Sequence, residues 1–226
     1  MNGIGKVCFW VTALWILCSA CIGCGGKHTE LEKKAGSTTK TIAVLPFEAE
    51  AAGETGQQYV TCSVCGSAYK AGHIEPRAET VLSDLLFEKL KDNPNIILLT
   101  LGQSKGLWAD ALASLGGVPY TKILQRVGEK SGTDAVLYGR IFRYEEREGR
   151  TYSVQRPASV AFDLHLVRTS DGVIIWKGRF DETQAPLMEN ILRFPSYLKR
   201  GGKWLTADEL AGEGVDKVME DFPQER

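Results

Sequence analysis

Thr41-Ile-Ala-Val-Leu-Pro-Phe47 is a continuous apolar run closed by a proline. A run without alternation suits a strand buried on both faces in the middle of a sheet, and Pro46, lacking an N–H, ends its ladder. Downstream, Glu48 to Gly72 is rich in Gly and Ala and reads as a long loop or insert, bounded at 48–73. Pro76 can open a helix, where a missing N–H costs nothing, and Val81, Leu82, Leu85, Leu86 and Leu90 recur at helical spacing. Asp92-Asn93-Pro94 ends that helix, and Ile96 to Leu101 is a second apolar run of strand length. A shorter helix around Leu107 to Leu115 and a third over Tyr120 to Lys130 follow.

The period then changes. Ala135 to Tyr144, Ser159 to Arg168 and Val173 to Phe180 are strand-length segments. The middle one alternates, with Val160, Phe162, Leu164 and Leu166 on one face and Ala161, Asp163, His165 and Val167 on the other. His165 is thereby expected on a polar face. Ser170-Asp171-Gly172 carries the Asp-Gly signal of a hairpin turn. Thr206 and Glu209 form a capping-box pair ahead of an amphipathic tail reaching Phe222. The predicted architecture is α/β (α+β): a mixed β-sheet covered by helices, with a C-terminal antiparallel meander and a closing helix.

The amino terminus sets the expected address. Lys6 is the only charged side chain before Lys27, Val7 to Leu17 is apolar, and small residues follow. A basic start, an apolar core and a small-residue exit are the parts of a secretory signal, expected over residues 1–20. Cys18-Ser19-Ala20-Cys21 and Cys21-Ile22-Gly23-Cys24 both resemble the bacterial lipobox, with Cys21 the better acceptor and Cys24 the alternative. That resemblance implies diacylglycerol and N-acyl chains on the cysteine, and two or more chains anchor stably. The residue after the acceptor, Ile22 or Gly25, is not the Asp that resembles an inner-membrane retention signal. The periplasmic side of the outer membrane is therefore expected. Residues 21–40 read as a lipidated flexible linker, because Gly25 to Lys40 holds one large apolar residue, Leu31. Residues 41–226 read as a single periplasmic domain.

Composition fits that reading. The chain has 226 residues, 43% hydrophobic and 24% charged, enough to bury a core. Net charge is −1, and removing the segment that carries Lys6 makes it more negative. Without a basic excess, nucleic acid is not an expected partner. Beyond Cys24 no run approaches the length of a membrane-spanning helix.

Several of these segments resemble the TolB amino-terminal-like fold and the CsgG-like and LpoB-like periplasmic lipoproteins. TIAVLPF is similar to the opening strand, and Gly132-Thr133-Asp134-Ala135-Val136 with Tyr138-Gly139 to a "GADAV…G" segment. Asp171-Gly172-Val173-Ile174-Ile175-Trp176 is similar to a "TGEVLW" hairpin. The resemblance spans about Thr41 to Phe180 and describes strand ends and turns, so it implies a fold before a function. It implies an envelope assembly or accessory protein acting by contact with another envelope protein, without catalysis, and compatible with homo-oligomers. Tyr144 to Ala158 is too short and too charged to supply membrane-spanning hairpins.

Residues able to carry chemistry are few. Cys62-Ser63-Val64-Cys65-Gly66 can close a disulfide, act as a redox pair or supply two zinc ligands, with His73 the nearest further ligand in sequence. No HExxH or phosphate-loop pattern occurs, so no catalytic residues are assigned and no resident cofactor beyond the covalent lipid is expected. Asp181, Glu182, Gln184, Glu189 and Asn190 gather polar groups after the third meander strand and are candidates for an interaction surface. The leading expectation is a lipid-anchored accessory protein. The alternative is a zinc-binding or thiol-redox module built on the Cys62–Cys65 insert.

Overall fold

The computed structural model describes residues 41–50, 58–93, 96–114, 117–150, 153–184 and 204–223. The leader, the linker, Cys21, Cys24, Glu189 and Asn190 lie outside the described residues. The fold is α+β. Its main sheet runs in the order β10 (Ile174–Thr183), β9 (Ser159–Arg168), β6 (Ala135–Glu145), β1 (Thr41–Val44) and β5 (Ile97–Leu98), with β2 (Glu48–Ala49) also pairing with β6. β1 is parallel to β5 and β6, whereas β6, β9 and β10 form the antiparallel meander. Between β6 and β9 in the chain, β7 (Glu148–Arg150) and β8 (Ser153–Arg156) pair as a small hairpin of their own.

β1 and β2 lie along the same neighbour. β1 pairs with Ala135–Leu137, and β2 with Arg140 and Ile141. Pro46 falls in the gap, where it breaks the ladder without leaving a donor unpaired. Phe47 uses the gap to lay its ring against β6. Gly139 makes this possible, because a Cβ there would sit 2.3 Å from the ring.

Both faces of the sheet are covered, as apolar runs in central strands require. Ile42, Val44, Leu137, Ile141, Phe162, Leu164 and Leu166 pack with α1 (Ala78–Lys91) and α4 (Ala207–Met219). On the opposite face Ala43, Leu45, Val136, Tyr138 and Val167 pack with α2 (Leu101–Ser114) and α3 (Tyr120–Ser131). α3 closes on Gly132, at φ +67° in the left-handed region. Asp134 then accepts from both the backbone N–H and the hydroxyl of Thr41, each at 2.9 Å, tying β6 to the start of β1.

Sequence and structure part at β5 and α2, in the insert and on β9. The segment Ile96 to Leu101 shortens to the two-residue β5, and α2 starts at Leu101, six residues before the predicted start. Thr100 and Gln103 account for this by capping each other's backbone N–H, at 3.3 and 3.0 Å. The insert is not a plain loop: β3 (Tyr59–Thr61) and β4 (Ala68–Lys70) form an antiparallel hairpin. The face of β9 carrying Asp163 and His165 is not a polar surface, since residues 159–167 are buried throughout.

α4 carries the predicted capping box. Thr206 Oγ1 accepts from Glu209 N at 3.2 Å, and Glu209 Oε2 accepts from Thr206 N at 2.8 Å. Thr206→Ala removes one half of it and is expected to cost about 1 kcal/mol, read from the urea midpoint. A midpoint unchanged from the parent would mean that α4 is held by packing alone.

Candidate functional site

The β3–β4 hairpin covers the end of the sheet that α2 and α3 leave open. Val60, Cys62 and Tyr69 pack on Phe142 of β6 and Ala161 of β9, with the rings of Tyr69 and Phe142 stacked at 3.7 Å. Asp163 and His165 share that strand face with Ala161, so the hairpin buries them as well. The turn between β3 and β4 is Cys62-Ser63-Val64-Cys65-Gly66. It closes through Gly66 N–H to Cys62 O at 2.9 Å and Cys62 N–H to Ser67 O at 2.8 Å. Gly66 sits at φ +75°, a conformation that favours glycine.

The result is a compact group of four ligand-type side chains. Sγ of Cys62 and Cys65, a carboxylate oxygen of Asp163 and a ring nitrogen of His165 all lie within 4.8 Å of one another. Cys62 Sγ is 3.7 Å from His165 Nε2, Cys65 Sγ is 3.6 Å from Asp163 Oδ2, and His165 Nε2 is 3.5 Å from the same oxygen. Both cysteines are free thiols.

Burial governs the charges here. It pushes the Asp163 carboxyl up to about 6, against hydrogen bonds from Cys62, Tyr69 and Cys65 that pull it down. It pushes His165 down to about 4, and lifts the Cys62 thiol well above its ordinary value. Near neutral pH the group therefore holds a carboxylate, a neutral imidazole and a protonated Cys62 thiol. Asp163 Oδ1 and His165 Nδ1 are buried without a hydrogen-bond partner among the described residues.

Further contacts hold the four in place. Tyr69 donates its hydroxyl to Asp163 Oδ2 at 3.0 Å, and the Arg179 guanidinium lies 4.2 Å above the Tyr69 ring. The Val64 N–H reaches Cys62 Sγ at 3.4 Å, and Cys65 Sγ meets Ser67 Oγ at 3.2 Å. Glu50 anchors the turn from below, accepting from Ser63 N and Oγ and from Arg140 Nε at 2.8 Å.

The other sequence candidates fall elsewhere. His73 does not join the cysteines: its side chain is 67% exposed and faces Glu75 at 3.8 Å, and its carbonyl accepts from Tyr144 N. Asp181 and Glu182 lie within β10 and not in a turn beyond it. Asp181 pairs with Arg143 at 2.7 Å and with Arg179 at 3.1 Å, while Glu182 pairs with Lys217 at 2.7 Å. Gln184 is buried and accepts from Leu205 N at 2.8 Å. These groups are engaged in joining β6, β10 and α4 to one another. The two residues that complete the cysteine group, Asp163 and His165, carry no spacing signal that ties them to it along the chain.

No family model matches the chain, and no curated protein does. Among solved structures it is similar to PelC of Paraburkholderia phytofirmans, a dodecamer, at 12% identity and TM-score 0.43, over 82% of this chain and 89% of that one. It is similar to a lipoprotein of Neisseria meningitidis at 12% identity and TM-score 0.42, over 71% and 96% of the two chains. For the LpoB C-terminal domain of Escherichia coli the identity is 16% and the TM-score 0.38, over 66% and 87%. Likenesses of this strength identify no family, and the meaning of the site rests on its own geometry.

Proposed function

We propose that the chain is a lipid-anchored accessory protein of the cell envelope, held on the periplasmic face of the outer membrane and acting by contact with another envelope protein. The observation that carries this reading is the leader: one basic residue, an apolar run to Leu17, and Ser19-Ala20 before Cys21. Apolar side chains carry such a segment into a translocon, and the small pair admits a peptidase before the cysteine. Acyl chains on that cysteine supply the attachment. Among the described residues no helix is long and apolar enough to cross a membrane.

The full chain made in a lipoprotein-competent bacterium tests the reading by intact mass and membrane fractionation. Cys21→Ser is expected to lose the acyl mass and leave the outer-membrane fraction, while Cys24→Ser keeps both. A wild-type chain that retains Met1 and its whole apolar segment would overturn the proposal in favour of a spanning anchor. A second reading, metal binding by the cysteine turn, is favoured by the Cys62, Cys65, Asp163 and His165 group.

A further inference from the structure

We propose that Cys62, Cys65, Asp163 and His165 form a structural zinc site that clips the β3–β4 hairpin onto strand β9. The reading of the leader plays no part in this.

The spacing of the ligand atoms carries the argument. Zinc bonds thiolate sulfur at about 2.3 Å, imidazole nitrogen at about 2.0–2.1 Å and carboxylate oxygen at about 2.0–2.2 Å, usually as a tetrahedron. The edges of that tetrahedron are then about 3.3–3.8 Å long. The separations of 3.7 Å for sulfur to nitrogen, 3.6 Å for sulfur to oxygen and 3.5 Å for nitrogen to oxygen fall in this range. These are three of the six edges, and the other three lie within 4.8 Å, at most about 1 Å longer than the tetrahedron requires.

The donor set and its tetrahedral spacing favour zinc. Two thiolates with one imidazole and one carboxylate suit zinc, whereas calcium and magnesium want oxygen alone. Four protein ligands fill the coordination shell and leave no position for water, which marks the site as structural and not catalytic. The turn has the shape such a site needs. The Val64 N–H points at Cys62 Sγ, and Gly66 at positive φ lets the chain reverse straight after Cys65. Binding the ion would release the thiol protons to solvent and place a +2 charge among two thiolates and a carboxylate, and Tyr69 Oη is already set to donate to Asp163. It would also give the buried Asp163 carboxylate a counter-charge in the core.

The consequence is mechanical. β3 and β4 have three residues each, too few for a hairpin to stand alone. A metal bound by two residues of the hairpin and two of β9 makes its attachment independent of the small apolar patch beneath it.

The test uses the full chain, extracted in detergent and purified without chelator from zinc-containing medium. We expect about one zinc per chain by elemental analysis, as a closed four-ligand site requires. Cys65→Ser and His165→Gln are each expected to lower that content at least about tenfold, and His73→Ala to leave it unchanged. Because His165→Gln can also fail to fold, cobalt is exchanged into the wild-type chain. Thiolate-to-cobalt charge-transfer bands with tetrahedral d–d bands are the expected signature. Wild-type protein without stoichiometric zinc and without those bands overturns the proposal. So does a Cys62–Cys65 disulfide in the non-reduced peptide map, or zinc that survives His165→Gln and is lost with His73→Ala.

Discussion

Phe162→Ala is expected to lower the stability of the folded chain by about 3–5 kcal/mol, the range for deleting a fully buried aromatic ring. Phe162 lies on β9, a strand with neighbours on both sides, and its ring meets Phe47 edge-on at 5.7 Å and Phe180 at 5.5 Å. These three rings connect the β1–β2 gap, the centre of the sheet and the strand beside α4. Removing the middle one leaves a cavity that its neighbours cannot close, because Phe47 is fixed over Gly139 and Phe180 against Gly214. For a chain of this size each kcal/mol moves the thermal midpoint by about 2–4 °C, so a fall of roughly 6–20 °C is expected. Val173→Ala is the reference: at 46% exposure it should change stability by less than about 0.5 kcal/mol. If guanidinium melts of the two variants coincide, the aromatic layer is not what holds the sheet to α1 and α4.

Much of this layer can be read along the chain. Phe162 is one of four apolar residues at every second position from Val160 to Leu166, and the strand bounds, Ser159–Arg168, are those the alternation predicts. TIAVLPF reads as a buried strand because nothing in it is polar beyond its first residue, and the Thr206–Glu209 capping box is a local signal with a local outcome. The start of α2 was legible too: Thr100-Leu101-Gly102-Gln103 is a capping sequence, hidden because the apolar run before it favours a strand.

The candidate site could be read only in half. Cys62 and Cys65 announce themselves by spacing, but their partners lie about a hundred residues on. His73 is nearer in sequence, yet sheet register and not sequence distance decides which side chains meet. Asp163 and His165 looked like a solvated face because polar residues alternated with apolar ones. Ala161 and Val167 on the same face were the contrary signal, since a strand exposed on one side rarely frames its polar residues with apolar ones. What the alternation could not show was the cover, because three-residue strands such as β3 and β4 are too short to display a period.

Arg140→Met is the second large effect, and it concerns charge where Phe162 concerns volume. The Arg140 side chain is 6% exposed and donates to Glu48 at 2.7 Å, Glu50 at 2.8 Å and the Tyr138 hydroxyl at 2.8 Å. Burial alone would lower its affinity for a proton, but Tyr138 and Glu50 outweigh burial and hold the guanidinium charged. Glu48 also accepts from Trp108 Nε1 on α2 and from Tyr138 at 2.6 Å each, while Glu50 holds the Ser63 turn. One arginine thus joins α2, β2, β6 and the cysteine turn. Methionine fills a similar volume but leaves two carboxylates facing each other without their cation. Breaking a buried pair in this way costs about 3–5 kcal/mol, and partial solvent access at both glutamates argues for the lower end, near 3 kcal/mol. Adding Glu48→Gln and Glu50→Gln to Arg140→Met should recover at least about half of the loss, because the stranded charges are then gone. Equal urea midpoints for the single and triple variants would show instead that Arg140 acts through its guanidinium over the Tyr120 and Tyr138 rings.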